Sequence, residues 1–127
     1  MNEDIGKLVL RLTLGILILL HGLAKITNGV SGISGMLAGI GLPSTLAYGV
    51  YIGEVLAPLL VIIGFYARIG ALVIVVNMLF AIALVHMKDL IVLTKTGGWG
   101  IELQAFFLFT AVAVALIGPG RYAVNRK

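Results

Sequence analysis

A chain of 127 residues that is 61% hydrophobic and 11% charged, with a mean hydropathy of +1.16, has the composition of an integral membrane protein. An average soluble domain carries roughly 25% charged residues. The length suits one compact helical bundle and leaves no room for a separate soluble domain of about 100 residues. A net charge of +4 could suggest nucleic acid, but the nine basic residues are scattered and mostly flank apolar runs. They read as topology signals, and nucleic acid is not expected as a partner. With no cysteine, disulfides, thiolate nucleophiles and Cys-ligated clusters are excluded, so redox chemistry would need a bound cofactor or substrate.

Four apolar segments follow in chain order, at about 5–23, 46–65, 69–87 and 100–118, each close to the roughly 20 residues that cross a bilayer. The expected fold is all-α: an integral membrane four-helix bundle. The first segment is read as a retained helix and not as a secretory signal. Its flank of Glu3, Asp4 and Lys7 is mixed in sign, and its apolar run is longer than the usual 7 to 15 residues or so. The glycine-rich stretch TNGVSGISGMLAGIGLPS is too broken for a span. It fits a loop with a short re-entrant or interfacial helix at 33–40, closed by Gly41 and Pro43. Spans two and three meet at Tyr66, Ala67 and Arg68, a turn so short that the two helices must be antiparallel neighbours. Before the fourth span, Gly97 and Gly98 break the chain and Trp99 suits the membrane interface. Lys7, Arg68, Arg121, Arg126 and Lys127 lie on the side of the termini, against Lys25, Lys88 and Lys95 opposite. Positive-inside then places both termini in the cytoplasm.

Ionisable groups inside the spans carry the functional argument, because each costs about 2.5 to 3.5 kcal/mol or more unless paired or wetted. At about 100° per residue, Arg11, Gly15, Ile18, His21, Gly22 and Lys25 share one face of the first helix, which should look inward. Its glycines should admit a neighbouring helix closely. On the second span, Gly49, Gly53, Glu54 and Pro58 suggest a bent surface with a freed carbonyl beside a polar cavity. Each Cα–Cβ bond leans toward its helix N-terminus, so His21 and Glu54 lean toward each other and Arg11 leans away. The expected pairings are therefore His21 with Glu54 and Lys25 with Glu102, with Arg11 a cytoplasmic-side anchor or inner-leaflet pair. Glu102 shares a side with Phe106 and Phe109, and Gln104 points about 160° away from it. Asn77 is read as an interhelical hydrogen bond. His86 is read as either interfacial or turned into the outer pocket. Two histidines and two carboxylates invite a metal or haem, but no pair shows helical ligand spacing, and none is assigned.

The segments RLTLGILILLHGLAK (11–25), GLPSTLAYGVYIGEVLAPLLVIIGFYARIGAL (41–72) and GPGRYAV (118–124), with His86 and the Glu102 segment between them, resemble the DoxX family of small bacterial and archaeal membrane proteins. The likeness covers nearly the whole chain. It implies four helices with cytoplasmic termini in a prokaryotic cell membrane and a role around respiratory or sulfur redox chemistry. Relatives include a subunit of a thiosulfate:quinone oxidoreductase and a member of a membrane oxidoreductase complex that counters oxidative stress. Arg11, His21, Lys25, Glu54, His86 and Glu102 fall on the family pattern. Asn125 stands where many members have an Asp, which puts any role of that carboxylate in doubt.

The resulting expectation is a membrane component of a redox system, working with a partner oxidoreductase subunit. It would bind a quinone or small redox metabolite in an outer-half pocket. His21 and Glu54 would relay protons, and Lys25, His86, Glu102 and Trp99 would contact the substrate. Two alternatives use the same residues. In one the chain is an assembly subunit whose buried charges fix helix register; in the other it is a small proton-linked transporter, which homo-oligomerisation would favour.

Overall fold

The computed structural model describes residues 2–29, 31–85, 91–93, 95 and 97–125. Among them it shows five helices and no strand beyond an isolated bridge between Leu93 and Trp99. The protein is an all-α membrane protein. Helix α1 (Asn2–Asn28) has Glu3 and Asp4 in its first turn and Lys25 in its last, both favourable to the helix dipole. Gly29 stops it at φ +81, with its N–H bonded to the Lys25 carbonyl at 2.7 Å. The short helix α2 (Ser31–Gly39) lies where the glycine-rich stretch suggested one, and Gly41 follows it at φ +81.

Helix α3 (Thr45–Ile63) crosses in three registers. It opens as a 3-10 turn (Ser44–Tyr48), widens to a π turn (Ile52–Leu56) and continues as regular α-helix (Ala57–Ile63). Pro58 accounts for the wide turn: it has no N–H to donate, and its ring crowds the preceding carbonyls, so the backbone opens by one residue. Gly64, at φ 75, ends the helix. Helix α4 (Ala67–Val85) then runs back beside it, as the short turn required. By length and hydropathy α1, α3 and α4 can each cross a membrane, whereas α5 (Glu102–Ile117), with 16 residues, is shorter.

The helices pack in the ring α1, α3, α4, α5, with α1 and α5 also in contact. Leu14 and Ile18 of α1, Val61 of α3, Ile74 of α4 and Val114 of α5 meet in one buried cluster. Lipid tails are as apolar as these side chains, so close packing rather than escape from water holds the helices together. Gly15 and Gly22 provide it. A Cβ on Gly15 would lie 2.5 Å from the Ile62 side chain, and one on Gly22 would lie 2.0 Å from the Glu54 carbonyl oxygen.

Arg11 anchors backbone at the end of the bundle that carries the termini. It is 1% exposed, and among the described residues its partners are all backbone carbonyls. Its Nε donates to Val61 at 3.0 Å, Nη2 to Ile62 at 2.9 Å, and Nη1 to both Pro119 at 3.0 Å and Tyr122 at 2.8 Å. The last carbonyls of a helix have no donor within it, and inside hydrocarbon they cannot borrow one from water. The guanidinium fork serves the end of α3 and fastens the tail after α5 to it. Arg68 does likewise for α5, its Nη1 donating to Ala115 and Leu116 at 3.3 and 3.1 Å. Asn125 completes the closure by accepting the Tyr66 N–H at 3.0 Å, so an amide suffices where an Asp was the family expectation.

Candidate functional site

The π turn of α3 carries Glu54, which is 4% exposed and about halfway along its helix. Its Oε1 lies 2.5 Å from Lys25 Nζ, and its Oε2 accepts a hydrogen bond from Asn77 Nδ2 at 3.0 Å. Three helices thus meet at one carboxylate. Glycines permit the approach on both sides: Gly22 lies against the Glu54 carbonyl, and a Cβ on Gly53 would come within 2.6 Å of the Asn77 side chain. Tyr51 fixes the lysine from behind, its hydroxyl donating to the Lys25 carbonyl at 3.2 Å.

This geometry corrects the expected pairings. Lys25, not His21, is the partner of Glu54, because a long side chain on a helix reaches back over the turn N-terminal to its own Cα. Lys25 descends a full turn in this way, whereas the shorter His21 turns toward α5 and meets Phe107 edge-on, with ring centroids 5.7 Å apart. Glu102 is not the partner of Lys25. It is exposed in the first turn of α5, on the outward side with Phe106 and Phe109.

Above the carboxylate is a cavity of about 700 Å³, lined by His21, Lys25, Glu54 and Asn77. Gln104 and Phe107 of α5 line it too, and sequence reasoning missed both. The 160° between Gln104 and Glu102 was the available signal, once Glu102 is known to face out. Helix α2 covers one end of the cavity. Leu37 is buried there, in a cluster with Ala47, Tyr51 and Leu84. Trp99 does not line the cavity; it bridges to Leu93. His86 lies outside the described residues. Among those described, no three His, Asp or Glu side chains converge as metal ligands would.

Chemically, the site is a neutral ion pair at the base of an apolar chamber, with the extra donor of Asn77, the amide of Gln104 and the ring of His21 nearby. Small-molecule sites have this form, mostly apolar walls with a few placed polar groups. The DoxX family model matches residues 6–87, well over half of the chain. The chain belongs to the DoxX family. A similar protein of Bacillus subtilis (strain 168), named "Putative oxidoreductase CatD", is 33% identical over 122 residues, covering 96% of this chain and 86% of its own length. No solved structure gave a significant match.

Proposed function

We propose that this DoxX-family protein is the membrane component of a redox system. In this reading it holds a quinone or similar small redox-active carbonyl compound in the cavity beneath α2, and a partner oxidoreductase exchanges the electrons. The observation that carries the reading is the buried Glu54 carboxylate, bonded to Lys25 and Asn77 at the base of an apolar cavity of about 700 Å³. Intramembrane ionisable groups facing a cavity are functional sites by default, and the relative's name is that of an oxidoreductase.

Reducing a quinone to a quinol consumes two electrons and two protons. The partner would supply the electrons. Lys25 keeps N–H groups beyond the one given to Glu54, and these can donate to a carbonyl oxygen as negative charge builds on it. Exposed His21 would pass protons from the far membrane surface to the cavity. That surface is the outer one if the termini are cytoplasmic. Lys25, turned inward onto Glu54, leaves fewer basic side chains at the far end, which supports that orientation.

A tailless benzoquinol analogue tests the reading in purified protein. Glu54→Gln keeps an acceptor for Asn77 but releases Lys25, and it should weaken binding about tenfold, or ~1.4 kcal/mol. Equal affinity in wild type and variant, or no binding to either, would remove the proposal.

A further inference from the structure

We infer that the cavity opens sideways into the bilayer between α3 and α4, and that its ligand is an amphiphile whose apolar chain lies across Ile52, Val76 and Phe80. The inference rests on the cavity being a binding site, as proposed above, and adds where the ligand comes from and what it must carry.

A side chain that lines a cavity and is also half exposed stands at its rim. Met36, Leu46, Leu103 and His21 line the cavity and are exposed as well, and on the α3–α4 side Ile52, Val76 and Phe80 do both, being 54%, 59% and 49% exposed. All three are apolar. At 1.5 Å per residue from Ala67, Val76 and Phe80 stand about 14 and 20 Å along α4, inside a hydrocarbon core of about 30 Å. A molecule crossing that rim therefore arrives from lipid, not from water.

The packing above and below the rim agrees. Gly53 and Asn77, the chain neighbours of Ile52 and Val76, bring α3 and α4 into close contact and form the floor of the opening. Above it, α2 ties the two helices together again, because Leu37 packs with Ala47 and Tyr51 of α3 and Leu84 of α4. Between these two closures Ile52, Val76 and Phe80 line the cavity. The Lys25–Glu54 ion pair sits at its base, and His21 lines it on the α1 side. A ligand that satisfies both base and rim needs a hydrogen-bonding head for Lys25 and Glu54 and an apolar chain for the rim. A short hydrophilic metabolite satisfies only the first.

Two measurements in lipid vesicles test this. The first compares two benzoquinol analogues with the same head, one tailless and one bearing a decyl chain, at equal membrane mole fraction. The chain should tighten binding roughly tenfold in wild type. Val76→Trp, or Phe80→Trp if the former folds poorly, should abolish that advantage, so that the two analogues bind alike. A chain without effect in wild type, or an advantage that survives both rim variants, overturns the inference while the site reading stands.

The second needs no ligand. Because the chain has no cysteine, Val73→Cys places a single nitroxide in the cavity wall. The label should relax strongly with lipid-dissolved oxygen and weakly with an aqueous nickel chelate, and Val76→Trp should reduce the oxygen effect. Dominant relaxation by the nickel chelate would show a water-facing cavity and overturn the inference. If neither analogue binds, the site reading fails, and the nitroxide result decides the sideways opening by itself.

Discussion

Replacing Arg11 with methionine should lower the unfolding free energy by roughly 3 kcal/mol or more, since each buried carbonyl left without a donor costs about 1 to 3 kcal/mol. Methionine keeps the length of the side chain and removes every donor. Four carbonyls, on Val61, Ile62, Pro119 and Tyr122, then lose their Arg11 bonds, those of Val61 and Pro119 fully buried. Arg11→Lys should recover only part of the loss, because a compact ammonium cannot match a planar fork that serves two chain segments at once. Unfolding in mixed detergent micelles gives the energies. Trypsin cleavage at Arg121 gives the location, since the tail should become accessible in the methionine variant. An unchanged unfolding midpoint together with a protected tail would refute the assignment.

The second large effect is expected at Gly22. Even alanine there puts a Cβ 2.0 Å from a backbone oxygen of α3, and neither backbone can rotate away as a flexible side chain could. Helices α1 and α3 must move apart, at a cost of about 1 to 3 kcal/mol or somewhat more. The displaced residue is Glu54 itself, so Gly22→Ala should also lose the binding that Glu54→Gln weakens. Gly35→Ala is the control. It has nothing within 4 Å of the added carbon and sits within α2, so it should be neutral or slightly stabilising. Thermal unfolding and analogue binding on the three proteins distinguish a tight contact at Gly22 from a general intolerance of substitution.

Much of this arrangement was legible in the residues. Apolar run lengths gave the helices, and the inward face of α1 followed from the shared arc of Arg11, Gly15, His21, Gly22 and Lys25. The bend near Gly53 and Pro58 was legible as a bend. Its form was not, because a π turn adds one residue per loop and shifts the facing of everything before it, which a uniform helical angle does not represent. Partner choice failed for a related reason. The lean of the Cα–Cβ bond gives a direction but no reach, and the lysine side chain is long enough to cover a whole turn. On α5 the angle between Glu102 and Gln104 was read correctly and the wrong member was turned inward. Charge drew the assignment, yet Glu102 sits in an exposed first turn where a carboxylate suits the helix dipole.

The Arg11 knot also bears on how the protein is made. Two of its acceptors, Pro119 and Tyr122, are 108 and 111 residues further along the chain, so they leave the ribosome long after the first span has been inserted. Until then that span carries a guanidinium lacking half of its final partners. The newborn helix is therefore a reluctant membrane segment that becomes comfortable only when the chain is nearly complete.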